Sequence, residues 1–148
     1  MGMNEAIKLF FSNYIKFDGR SRRAEFWWPA LMNLIISWTL SGVAILVSGG
    51  FGAYAALQFS ALGWIFYGAS VLWGLAVFIP GLSVAVRRLH DRNMTGWFLL
   101  GFVVAIIIPL LNIVAIIAFI VVLAMPGTVG PNKFGADPKG GHDVGVFS

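Results

Sequence analysis

Residues 26–86 contain no Asp, Glu, Lys or Arg, and residues 93–132 contain none either. Between these two runs lies one charged island, Arg87-Arg88-Leu89-His90-Asp91-Arg92. An aqueous domain spreads its charges over its surface, so a chain that confines them this strictly is arranged around a bilayer. The island then reads as a loop at the membrane surface. Composition agrees: of 148 residues, 59% are hydrophobic and 11% charged, against about half and a quarter in soluble domains. A net charge of +4 would suggest nucleic acid in a soluble protein. Here the basic residues flank apolar runs, which points to membrane topology and anionic headgroups, with no role for nucleic acid. The absence of cysteine excludes disulfides, thiolate catalysis and Cys-based zinc or iron–sulfur sites.

The expected fold is all-α: a polytopic helical membrane protein with an interfacial amphipathic helix over residues 4–16 and apolar segments over 26–48, 61–86 and 97–125. These form a single membrane domain over 1–139, followed by a flexible tail over 140–148. In the first helix Met3, Ile7, Phe10, Phe11 and Tyr14 fall on one stripe at helical spacing, with Asn4 as a candidate N-cap. That stripe suits packing on the protein and also burial in the membrane interface, and the two are compatible. Asp18-Gly19 marks a turn and Ser21 is placed to cap the next helix. Trp27 and Trp28 lie where aromatic belts form, and Pro29 falls in the first turn of its apolar run. The first span has the character of a retained anchor and not of a cleaved signal. Residues 48–60 are glycine-rich and read as a short connection. Ser37 with Ser41, and Ser70 with Gly74, are small-xxx-small pairs that would let helices approach.

As a single helix the third segment would be about 43 Å long, more than the hydrocarbon core of ~30 Å. It must tilt, kink or fold back. Pro109 and Asn112 near its middle favour a hairpin of two short arms, giving four crossings in all. Lys8, Lys16, Arg20, Arg22 and Arg23 precede the first span and Arg87, Arg88 and Arg92 follow the second. Both groups belong on the cytoplasmic face, which makes the N-terminus cytoplasmic. The hairpin puts Lys133 and Lys139 there too, whereas a single helix would put them outside.

Two basic clusters therefore converge on one face: Arg20, Arg22 and Arg23 with Glu25, and Arg87, Arg88 and Arg92 with His90 and Asp91. Guanidinium forks match phosphate and carboxylate oxygens, so these residues are the candidate contact for an anionic headgroup or a protein partner, with Arg88 foremost. The same residues also serve as topology signals and local ion pairs. His90 beside Asp91 has no accompanying HExxH or His–Cys spacing, and there is no GxSxG, Walker or dinucleotide-binding motif. No catalytic residue, metal or cofactor is expected.

Three stretches carry a family resemblance. Phe17-Asp18-Gly19-Arg20-Ser21-Arg22-Arg23-Ala24-Glu25-Phe26-Trp27, then Arg87-Arg88-Leu89-His90-Asp91 followed by Gly96-Trp97, then Gly127-Thr128 with Gly130, Asn132, Phe134-Gly135 and Asp137-Pro138, are similar in content and order to the motifs of the DUF805 family of small bacterial inner-membrane proteins. Thr95 stands where that family more often has Ser. The resemblance implies a multi-pass inner-membrane protein and no particular activity. It implies that Gly19, Arg20, Arg23, Glu25, Arg87, Arg88, His90, Asp91, Gly96, Trp97, Asn132, Phe134, Gly135 and Asp137 matter together. If they act as a unit they share one membrane face, which supports the hairpin.

The function expected from these observations is that of a small non-enzymatic membrane module. Its cytoplasmic-face Arg/Glu/His/Asp cluster would organise the fold and contact anionic phospholipid, a second copy of the chain or another membrane protein. The alternative is a subunit of an oligomeric transporter or channel. Against it, the spans lack the ionisable residues that mark ion pathways.

Overall fold

The computed structural model describes residues 1–139; the tail expected to be flexible over 140–148 lies outside the described residues. Among the described residues the regular elements are helices: α1 Met3–Ser12, α2 Arg23–Val47, α3 Phe51–Ala55, α4 Ala61–Asp91, α5 Trp97–Ile107 and α6 Asn112–Ala124. One isolated antiparallel bridge joins Asn132 and Gly135. The described residues form two compact units, Pro29–Ile79, and Met1–Trp28 together with those from Pro80 to Lys139. All ten Lys and Arg residues fall in the second of these.

The uncharged unit holds most of α2, all of α3 and the first part of α4. Helix α2 has 25 residues and α4 has 31, each with a mean hydropathy of 2.0 over its best window. At 1.5 Å per residue they are about 38 and 47 Å long, enough to cross a bilayer. A core helix of a soluble protein would be mostly covered, yet only 6% of that window is buried in α2 and 28% in α4. Trp38, Leu46, Leu72 and Leu75 are largely exposed. Inside this unit the side-chain Oδ1 of Asn33 accepts from Trp73 Nε1 at 2.9 Å and from Ser37 Oγ at 3.3 Å. That satisfies polar groups which would otherwise face hydrocarbon. Ser60 caps α4, its Oγ accepting the Gly63 N–H at 3.0 Å while donating to the Val47 carbonyl at 2.8 Å. The glycine-rich connection contains a helix, α3, that its composition did not announce. Tyr54 from α3 joins Phe59, Trp64 and Tyr67 in one aromatic cluster. Gly74 is exposed with open space beside it, so the Ser70/Gly74 pair is not a close helix contact.

In the charged unit several boundaries differ from the sequence reading. Helix α1 stops at Ser12 instead of running to residue 16, and its N-cap is Gly2, not Asn4. It buries Ala6 and Phe10, while Met3, Phe11 and Tyr14 are exposed. The small Ala6 permits close approach, a feature that a stripe of large side chains hides. Ser21 does not cap α2: its N–H donates to the Arg87 carbonyl at 3.1 Å and its hydroxyl to the Val84 carbonyl at 3.3 Å. Capping falls to Glu25, whose Oε1 accepts the Arg22 N–H at 3.3 Å. Because α2 starts at Arg23, Pro29 lies inside the helix and denies the Glu25 carbonyl its helical donor.

The charged island is not a loop. Helix α4 runs into it as far as Asp91 and is stopped by Asn93, two residues on, which takes the left-handed conformation with φ 58°. The Met94 N–H donates to Leu89 O at 3.0 Å and the Asn93 N–H to His90 O at 2.9 Å, a Schellman ending. Arg and Leu sustain a helix, and the Asn, not the first Arg, stops it. Helices α5 and α6 form a hairpin, with Phe102 and Phe119 in edge contact at 5.2 Å. The turn over residues 108–111 includes Pro109, where no helical donor is needed.

Candidate functional site

The site grows from the last turn of α4, which places Arg87, Arg88, His90 and Asp91 around one helix end. All four are buried, as are Arg20 and Ser21 from the turn leading into α2 and Glu25 from its first turn. The centre is Asp91. Its Oδ1 accepts from Arg20 Nε at 3.0 Å and Nη2 at 2.8 Å. Its Oδ2 pairs with Arg88 Nη1. Its backbone carbonyl accepts the Thr128 N–H at 2.7 Å and the Thr128 hydroxyl at 3.1 Å. A Cβ at Gly127 would collide with the Asp91 carboxylate, so glycine is required where the tail crosses this residue.

The two guanidiniums then reach outward in different directions. Arg20 Nη1 donates to Gly130 O at 2.6 Å and Gly135 O at 3.5 Å, and its Nη2 donates to Thr128 O. Arg88 Nε donates to Leu123 O at 2.9 Å, Nη1 to Ser21 O at 3.5 Å and Nη2 to Met125 O. A second pair, Arg87 Nη1 with Glu25 Oε2 at 3.4 Å, joins the start of α2 to the end of α4. Three guanidiniums thus face two carboxylates, and carbonyl dipoles from the C-terminal turns take up the remaining positive charge. Buried charges are tolerable when paired and hydrogen-bonded in this manner.

The C-terminal turns are locked from the other side. His90 Nδ1 donates to Gly19 O at 2.9 Å; because a carbonyl only accepts, Nδ1 carries the proton. The ring stacks on Phe134 with centroids 4.0 Å apart and planes 3° from parallel. Asn132 Nδ2 donates to His90 O at 2.9 Å while its Oδ1 accepts the Phe134 N–H at 2.9 Å. Asp137 accepts the Gly130 N–H at 2.9 Å and the Lys139 N–H at 3.0 Å. The Gly130 hydrogen bond, then the Lys139 one, holds its carboxyl below the ordinary value.

Most residues named from the sequence therefore meet: Gly19, Arg20, Glu25, Arg87, Arg88, His90, Asp91, Asn132, Phe134, Gly135 and Asp137. Arg23 does not join them. It is exposed, with Nη1 only 3.4 Å from the Ala124 carbonyl. Gly96 lies against Val86, where a Cβ would come within 2.9 Å of Cγ1. Trp97 is 78% exposed. Arg88, foremost as a ligand for headgroups, is fully buried with internal acceptors on each of its nitrogens. Ser21, Gly127 and Thr128 belong to the site and were not singled out for it, although all three lie inside the quoted motif stretches.

Fold and site together define a class: an all-helical chain with two helices long and apolar enough to cross a membrane, and a buried arginine–carboxylate clamp closed by its own C-terminal turns. The profile of the DUF805 family, described as "Protein of unknown function (DUF805)", matches residues 14–136, and the chain belongs to that family. It is similar to the inner membrane protein YhaI of Escherichia coli (strain K12), 34% identical over 132 residues that cover 88% of this chain and 92% of YhaI. It is similar too to the inner membrane protein YhaH of the same strain, 34% identical over 131 residues covering 86% of this chain and 90% of YhaH. No solved structure matches the chain.

Proposed function

We propose that this chain is a multi-pass inner-membrane protein that works as a non-enzymatic membrane module, with the clamp on its cytoplasmic side organising the fold. The relatives named as inner membrane proteins and the two long, largely uncovered apolar helices support the location. The placement of all ten Lys and Arg residues in one unit supports a cytoplasmic N-terminus. Four crossings, α2, α4, α5 and α6, return the chain to the clamp. The α5 and α6 arms, 11 and 13 residues long, would thin the bilayer locally.

The observation that carries the non-catalytic reading is where the donors go. Arg20 and Arg88 direct every guanidinium nitrogen at Asp91 or at a carbonyl of the chain itself. A catalytic or transport site keeps polar groups free for its substrate; here Arg20 and Arg88 spend theirs on holding Ser21, the end of α6 and residues 128–135 to the end of α4, and Arg87 Nε alone of the three guanidiniums' Nε atoms is buried without a partner among the described residues. The test is Asp91→Asn. It leaves two buried guanidiniums short of a counter-charge and should cost about 3–5 kcal/mol of stability, read as thermal melting of the purified protein in neutral detergent. Unaltered melting would remove the clamp from its assigned role.

A further inference from the structure

We propose that a cleft beside the clamp, lined by Arg22, Arg23 and Lys139, binds a phosphate oxyanion, presented by an anionic phospholipid headgroup or as free phosphate. This rests on the clamp reading above, since it assigns ligand contact to the arginines that the clamp leaves over. The cleft has a volume of about 320 Å³ and is lined also by Met1 and by Ala24 in the first turn of α2. Arg22 is held from behind: its Nε donates to the Pro138 carbonyl at 2.7 Å, and among the described residues its Nη groups have no hydrogen-bond partner. Arg23 and Lys139 are exposed. Among the described residues the hydrogen bonding of Lys139 runs through its backbone N–H and not its ammonium.

None of these three cations has an ion pair among the described residues, where the pairs are those of Arg20, Arg87 and Arg88. The nearby carboxylates are already engaged. Glu25 takes Arg87 and the Arg22 N–H, and Asp91 takes Arg20 and Arg88. Both oxygens of Asp137 accept backbone N–H groups. Three cations that line one cleft without an ion pair among the described residues favour an anion from outside, and two guanidinium groups suit the several oxygens of a phosphate better than a single carboxylate. The first-turn N–H groups of α2 add donors with no acceptor inside the helix. Trp27 and Trp28 lie in the next turn, the kind of residue that marks headgroup level, which favours the lipid as the source.

The experiment uses the full chain in neutral detergent and native mass spectrometry, comparing retained phosphatidylglycerol with phosphatidylcholine in wild type, R23Q/K139Q and K8Q/K16Q. Each basic residue removed from an anionic contact should reduce retention about fivefold, hence about 25-fold for R23Q/K139Q. K8Q/K16Q removes the same charge from α1 and its following turn and should retain lipid like wild type. Both substituted positions in R23Q/K139Q are exposed, so its melting should not change. Loss of the phosphatidylglycerol preference in R23Q/K139Q alone supports the headgroup site. Displacement by inorganic phosphate, without any preference between the two lipids, supports the oxyanion site with free phosphate as its ligand. Equal retention in all three proteins, or equal loss in both variants, overturns it. A failure of the clamp reading would show separately, as unaltered melting of D91N.

Discussion

Asp91 draws its importance from having two guanidiniums on its carboxylate and the tail on its carbonyl, all within one residue. Gly127 is the steric counterpart, because the carboxylate already occupies the volume a methyl group would need. Gly127→Ala should therefore destabilise by about 1–3 kcal/mol, measurable as a shift in denaturation midpoint. Gly130→Ala is a weaker test, because Gly130 has open space but a positive φ of 76°, so its cost is backbone strain alone. Asp137 supplies a pH dependence of defined sign. Its folded pKa is depressed, so the stability it contributes is complete above the unfolded carboxylate value and is lost as pH falls through the folded one. The stability gap between wild type and Asp137→Asn should be open at neutral pH and close in acid. A gap that widens in acid would contradict the assigned hydrogen bonds.

Among the elements, the two long helices and the hairpin were legible because hydropathy and a mid-segment proline report directly on them. Helix α3 was not: five residues, two of them Gly or Tyr in alternation with Ala, carry no periodicity, and the helix exists because Tyr54 packs on Phe59 and Tyr67. The end of α4 was misread for a physical reason. A run of charges looks like solvent exposure, and only tertiary partners from positions 20, 25 and 128 make it a buried helical turn. The motif residues themselves were legible, but which nitrogen goes to which carbonyl was not, since backbone acceptors leave no mark in sequence. For the hairpin, the cysteine-free chain offers a direct test. Leu110, 92% exposed at the hairpin turn, should label as a single Leu110→Cys with a membrane-impermeant maleimide added outside spheroplasts. A single cysteine placed at Lys139 should label only after lysis. Protection of position 110 from outside would reduce α5 and α6 to a re-entrant hairpin.

At the scale of the whole molecule, all ten Lys and Arg residues belong to one of the two compact units. The charged unit is built from chain ends that are distant in sequence, with Arg20 reaching Gly130 and Arg22 reaching Pro138. That has a consequence in the order of synthesis. Arg20 leaves the ribosome first, Arg88 and Asp91 much later, and the carbonyls of residues 125–135 later still. On the proposed topology, until those acceptors exist the arginines would be hydrated cations at the cytoplasmic mouth of the insertion machinery, the state in which positive residues fix the orientation of neighbouring spans. Burial comes only when the last turns are made. On that topology the same side chains would act first as signposts for insertion and afterwards as the lock on the finished fold, which could not close before the orientation had been decided.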